Sequence, residues 1–187
     1  MSIQAVWLVL LAAGLAVVVL AVRLATVWAR NRGERAITCP ENQQAAGVRV
    51  NERHAAWTGL SGSPELRLSA CTRWPERAGC GQQCLAQIAA APDGCLVRNI
   101  LAEWYRGKKC AHCGQEFTEV EWAVQKPALL SANKISMEWS QVPADRLRET
   151  LETALPVCFA CHMANTLVRE HPDLVADRGA LEGRRIS

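Results

Sequence analysis

The chain has 187 residues, half of them hydrophobic, with 21 basic and 18 acidic side chains and nine cysteines. Four of the arginines and one glutamate lie within residues 23–35, so the remainder of the chain is balanced at 17 basic and 17 acidic residues. This neutral remainder argues against an extended nucleic-acid-binding surface. The cysteines are too sparse for a compact disulfide scaffold, and their odd number would leave one thiol unpaired in an oxidising compartment.

The N-terminal segment has the composition of a membrane anchor. Ala5 to Val22 form a run of 18 uncharged, mostly apolar residues, so we predict a short N-terminus at residues 1–4 and a transmembrane helix over residues 5–28. A cleaved signal peptide is disfavoured because no basic residue precedes the long apolar run. Since the flanking arginines all follow the helix, we expect a single-pass protein of the cell membrane with its soluble domain in the cytoplasm.

Residues 29–47 are polar and rich in turn-forming residues, which predicts a juxtamembrane tether. Residues 48–105 predict a cysteine-containing α+β subdomain. Short segments in which apolar and polar residues alternate, as in strands, are interspersed there with segments of helical periodicity. Turn sequences beginning at Ser61 and Ala91 separate its elements. The predicted order is a strand at 48–50, a helix at 52–60, a strand near 66–70, and helices at 81–91 and 96–105.

Residues 106–176 predict a second subdomain, followed by a flexible tail over residues 177–187. We expect two short strands at 119–124 and 134–139, which would pair as a hairpin spanning Lys126-Pro127. Helices are then predicted at 143–154 and 158–170, the last of them ending before Pro172.

Two C-x-x-C pairs give the strongest chemical signal in the sequence. In each pair, two intervening residues let a turn direct both sulfurs at one ion, and Gly114 relieves the backbone after the first pair. The second pair follows the first after 44 residues, so four thiolates are available to complete a tetrahedral site. The predicted metal ligands are Cys110, Cys113, Cys158 and Cys161.

This order of a cysteine turn, a hairpin and a helix that begins with the second pair resembles the treble-clef and zinc-ribbon families. The resemblance covers residues 109–170 and implies structural zinc without implying an activity. The predicted fold class is therefore α+β: an N-terminal transmembrane helix followed by a small cysteine-rich domain, with short strands and helices organised around a zinc-ribbon or treble-clef-like site.

A second interpretation of the same region is covalent haem. Cys158, Cys161 and His162 form a C-x-x-C-H sequence, which c-type cytochromes use to attach haem. A cytochrome of this type requires export, whereas the arginine flank predicts a cytoplasmic domain, and haem would leave Cys110 and Cys113 without a role. Haem c is therefore kept as the alternative to zinc.

Another group of cysteines lies upstream and is a candidate second metal site, for zinc or an iron–sulfur cluster. Cys80 and Cys84 are four residues apart and share one face if that segment is helical. The competing interpretation is that these residues are small buried hydrophobes with ordinary thiols. The group consists of Cys39, Cys71, Cys80 and Cys84.

The sequence contains no glycine-rich phosphate loop and no hydrolase triad, so a kinase or hydrolase is not supported. We therefore predict a non-enzymatic, membrane-tethered scaffold or assembly module that is stabilised by zinc. Its expected partners are the lipid bilayer and a protein, such as a subunit of a membrane complex. The alternative function is a membrane-anchored electron carrier or redox sensor that uses haem or an iron–sulfur cluster.

Overall fold

A computed structural model describes residues 2–77, 79–120, 122 and 126–172 of the chain. The chain divides into two compact units, Met1–Ile100 with Ala144–Arg146 and Leu101–Pro143 with Leu147–Ser187. The predicted tail at 177–187 lies outside the described residues. The elements in chain order are α1 (Ile3–Asn31), β1 (Glu34–Thr38), β2 (Ala45–Val50), α2 (Glu52–Thr58), β3 (Leu68–Cys71), α3 (Trp74–Arg77), α4 (Leu85–Ala90), α5 (Val97–Tyr105), β4 (Ala128–Leu130), β5 (Ser136–Glu138), a 3₁₀ turn (Trp139–Gln141), α6 (Leu147–Thr153), β6 (Leu155–Val157) and α7 (Phe159–Glu170).

The N-terminal helix α1 is long and apolar enough to span a membrane. Its 29 residues extend over about 43 Å at 1.5 Å per residue, which exceeds the roughly 30 Å of a bilayer's hydrocarbon layer. None of its residues is buried within the protein. The apolar side chains of α1 are therefore not covered by a protein core, which is the pattern expected of a membrane-spanning helix.

The end of α1 is capped by a buried arginine. Arg35 is 0% exposed, and its guanidinium donates hydrogen bonds to the carbonyl oxygens of Arg30 and Asn31, each at 2.9 Å, and of Gly33 at 3.4 Å. Burial lowers the pKa of Arg35. The last carbonyls of a helix have no partner within it and carry partial negative charge. A cationic donor placed there both donates hydrogen bonds to these carbonyls and compensates their charge.

The N-terminal unit is built on an antiparallel sheet with the strand order β1-β2-β3. Strand β1 lies within residues 29–47, the segment predicted as a tether, and its three central residues are buried. The sheet contributes Ile37, Val48 and Val50 to an apolar cluster that α4 completes with Ile88. Helix α2 packs beside the end of α1, where Gly59 approaches Val27.

The C-terminal unit contains a second antiparallel sheet with the strand order β5-β4-β6. All three residues of the central strand β4 are buried, and the Tyr105 hydroxyl donates a buried hydrogen bond to the Ala128 carbonyl at 2.7 Å. The sequence predicts the first strand of this region at 119–124. Of that stretch, residues 119, 120 and 122 are not in a strand and the others lie outside the described residues. The strand that the structure describes here is β4, which follows Pro127 and pairs with strands on both sides.

The helices that periodicity predicts are present, most with shorter bounds. The largest differences are at α4 and α6, which begin at Leu85 and Leu147 rather than at residues 81 and 143. Before α6, residues 144–146 form a turn. Helix α7 agrees with its predicted span to within one residue. This agreement matters for the site, since the start of α7 carries two of the predicted ligands.

Candidate metal centre

The first cysteine pair lies in a short turn closed by backbone pairing. Lys109 and Glu116 form an antiparallel bridge, and the Cys110 amide donates to the Gln115 carbonyl at 2.8 Å while the Gly114 amide donates to the Cys110 carbonyl at 2.9 Å. Gly114 has a φ of +73°, a conformation that favours glycine because other residues strain their Cβ atom there. The turn holds the cysteine at position 110 and the one at position 113 near each other.

The second pair lies at the start of α7. Cys158 is the N-cap residue of this helix, and its amide donates to the Cys110 sulfur at 3.3 Å. The Ala111 amide also donates to the Pro156 carbonyl at 2.8 Å, which ties the cysteine turn to the strand that leads into α7. The partial positive charge of a helix N-terminus stabilises thiolates placed there.

The structure brings the four cysteines into one cluster able to bind a metal ion. The Sγ atoms of Cys110, Cys113, Cys158 and Cys161 all lie within 4.8 Å of one another. Within the described part of the chain, no other group of three or more potential ligands reaches this proximity. Two zinc–sulfur bonds of about 2.3 Å at a tetrahedral angle place their sulfurs about 3.8 Å apart, and the Cys113 and Cys158 sulfurs are 3.8 Å apart. The donor set therefore fits a tetrahedral thiophilic ion.

Hydrogen bonding and burial give the thiols of Cys110, Cys158 and Cys161 different pKa values. Burial by itself would raise the pKa of Cys110, but hydrogen bonds from the amides of Cys113, Cys158 and His112 lower it to about 6. Burial, and then contact with the other thiols, raises the pKa of Cys161 to about 12, and burial also raises that of Cys158. Without a cation, four thiolates at this spacing repel one another. A divalent metal ion removes that penalty.

His162, the last residue of the C-x-x-C-H sequence, is buried inside the C-terminal unit. Its Nδ1 atom is 3.0 Å from the Ser136 hydroxyl of β5. The two cysteine sulfurs of that sequence lie instead with those of Cys110 and Cys113. Attachment of haem at Cys158 and Cys161 would draw both sulfurs out of the four-cysteine cluster, so the geometry favours a single ion over haem.

The upstream cysteines are arranged differently. All four, Cys39, Cys71, Cys80 and Cys84, line one small cavity in the N-terminal unit. Burial, followed by the proximity of the other three thiols, raises the pKa of Cys84 to about 11. Cys95 belongs to the same apolar cluster but is not among the residues that line the cavity. A metal-binding role for these four residues stays a prediction.

No family model, curated protein or solved structure matches this chain. The site must therefore be interpreted from its own chemistry. Sequence analysis did not identify Arg35 as the cap of α1 or Ser136 as the partner of His162, because neither pairing has a signature in local sequence.

Proposed function

We propose that this protein is a membrane-tethered scaffold whose C-terminal unit is organised by structural zinc and binds a protein partner without catalysing a reaction. The observation that carries the proposal is the convergence of four cysteine sulfurs within 4.8 Å of one another. Four thiolates fill the tetrahedral coordination of zinc and leave no position for an activated water, which is the pattern of structural rather than catalytic sites.

The surface beside the metal centre supports the partner-binding part of the proposal. Phe159, Met163 and Leu167 recur every four residues along α7, so they lie on one face of the helix. These three side chains are between 39% and 49% exposed. A cleft of about 410 Å³ lies next to this face, and its lining combines apolar residues such as Phe117 and Phe159 with polar ones such as Glu116. A partner helix with a complementary apolar stripe fits such a surface.

We further propose that both units face the cytoplasm and are held at the membrane by α1. The arginines that follow the apolar segment support this orientation, and a cytoplasmic location keeps thiols reduced and available to zinc. A reporter fused after Ser187 is expected to behave as cytoplasmic. A periplasmic reporter signal would contradict the orientation and would strengthen the haem alternative.

Metal analysis of the full-length protein in detergent tests the central claim. We expect zinc bound at the C-terminal cysteines and no haem absorption bands. Cys113→Ser should remove this zinc, whereas His112→Ala, a change in the same turn at an exposed side chain, should retain it. Full zinc retention by Cys113→Ser, or the absorption spectrum of a c-type haem, would contradict the proposed site.

Site-specific photo-crosslinking in native membranes tests the partner-binding face. A photoreactive residue at position 163 should give a discrete crosslinked product with another protein. Leu167→Glu should abolish this product because it introduces a charge into an apolar contact, and Ala164→Glu, the matched change at an exposed position about 100° around the helix from Met163, should reduce it less. Equal effects of the two variants would argue against an interface centred on the stripe.

A further inference from the structure

A second group of sulfurs surrounds a cavity of about 30 Å³ in the N-terminal unit. This volume exceeds the roughly 10–15 Å³ needed to hold a water molecule. The four cysteines reach the cavity from three separate parts of the sequence. Cys39 directly follows β1, Cys71 is the last residue of β3, and Cys80 and Cys84 lie in the segment that leads into α4.

The environment of Cys39 resembles that of Cys110 in the C-terminal cluster. Its sulfur accepts hydrogen bonds from the amides of Glu41 and Asn42 and from the Arg73 guanidinium, the last at 3.0 Å. The two amides are two and three residues beyond the cysteine. Cys110 in the C-terminal cluster accepts the same pair of bonds, from the amides two and three residues beyond it. The turn after Cys39 is thus built like the turn of the other cysteine cluster.

The charges around the cavity also suit a thiolate site. Four thiolates around a divalent cation leave a net charge of about −2, which needs nearby positive groups when it is partly buried. Arg73 and Arg77 both line the cavity, and Glu41, which lies 3.8 Å from Arg77, offsets only part of their charge. The cavity wall therefore supplies net positive charge to the four sulfurs.

We propose that Cys39, Cys71, Cys80 and Cys84 form a second site for a thiophilic metal, occupied by a zinc ion or an iron–sulfur cluster. Within the described part of the chain, these four sulfurs do not form a group close enough to hold an ion as they lie, so binding requires a local movement of the ligands. Both cases use the same four thiolates.

The test is a metal count on the full-length protein, purified under reducing conditions and without oxygen, by native mass spectrometry and elemental analysis. We expect two metal centres per chain. Cys80→Ser/Cys84→Ser should remove one centre, and Cys113→Ser should remove the other. Cys95→Ala, which changes a buried cysteine of the same apolar cluster that does not line the cavity, should retain both.

The wild-type count decides the matter even where a variant fails to fold. Two zinc ions, or one zinc ion with iron and a visible absorption band, support the second site and distinguish its two occupants. A single metal centre that Cys113→Ser removes overturns this inference and leaves the proposed function intact. A mass deficit of two hydrogens in the protein isolated with its native redox state preserved, assigned by peptide mapping to a disulfide within this group, also overturns it. If the wild-type protein held a single metal centre that Cys113→Ser left in place, the C-terminal centre would be missing. That result would count against the proposed function.

Discussion

The two cysteine groups differ in how much apolar structure surrounds them. Among the described residues, the upstream group contributes to a cluster with eight buried residues, including the sheet residues Val48 and Val50. In the same part of the chain, the cluster around the C-terminal group has four buried residues, and one of those is the candidate ligand Cys110. Other buried apolar residues of the C-terminal unit, such as Leu129 and Leu147, lie outside that cluster. A candidate ligand is therefore itself part of the apolar structure around the C-terminal group.

This difference implies two kinds of dependence on metal. Small folds with few buried apolar residues are commonly stabilised by a structural metal. We expect the C-terminal unit to need its ion in order to fold. The N-terminal sheet, which has the larger apolar cluster and a capped helix, should tolerate the loss of metal. The following experiments test that contrast, beginning with the largest expected effect.

Removal of the C-terminal metal should unfold the region from residue 109 to residue 170. Zinc binding to four-ligand sites contributes on the order of 10 kcal/mol, which is comparable to the whole stability of a small domain. A strong chelator or Cys113→Ser should therefore make this region sensitive to protease and speed its amide hydrogen exchange. The N-terminal sheet should keep its protection in the same sample, and α1 should remain in the membrane.

The N-terminal sheet thus serves as an internal control for the chelation experiment. The contrast between the two groups would be refuted if both regions lost protection together. It would also be refuted if the chelated C-terminal region kept its protease resistance, since a metal-independent fold would then be present there.

Arg35→Met should destabilise the N-terminal unit by about 2 kcal/mol, an intermediate effect. The change removes hydrogen bonds from a charged donor to the last carbonyls of α1, while relief from burying a guanidinium offsets part of the loss. Urea unfolding in detergent micelles, followed by a probe in the N-terminal sheet, measures the shift. Arg32→Met is the control because Arg32 is exposed and its guanidinium lies 4.9 Å from the Trp28 ring. Equal shifts would show that the buried cap has no special role.

Tyr105→Phe should have the smallest of these effects, about 1 kcal/mol, in the C-terminal unit. The change deletes the buried hydrogen bond to Ala128 but retains the ring that packs on Phe117 at a centroid distance of 4.9 Å. Zinc content should be unchanged. A loss of stability as large as the one caused by Cys113→Ser would mean that packing, rather than the metal, dominates the stability of this unit.

Some of this structure could be predicted from the sequence because its signals are local. The apolar run of α1 and the spacing of the C-x-x-C pairs each reflect a periodicity or a turn that a few neighbouring residues determine. The start of α7 is also marked by a local signal, because the residues around Cys158 place it at the helix N-terminus. The four C-terminal cysteines can therefore be predicted as a set from the sequence alone.

The features that were missed depend on contacts distant in sequence. Strand β1 appears polar at Glu34 and Arg35, yet Arg35 is buried because helix carbonyls surround its guanidinium. Strand β6 is three residues long and exists through its pairing with β4, a partner more than twenty residues upstream. The Ser136–His162 hydrogen bond likewise joins residues 26 positions apart. No local pattern encodes such pairings.

The connection between α1 and β1 limits how far the N-terminal sheet can lie from the end of α1. Only Arg32 and Gly33 separate the two elements, and two extended residues span about 7 Å. A flexible connection of 19 residues, such as the predicted tether, would have let the sheet lie several nanometres from the end of α1. If α1 spans a bilayer, as proposed above, the short connection would hold the N-terminal sheet in the layer next to the lipid headgroups. In that arrangement, a molecule that contacts this sheet would have to approach the membrane surface.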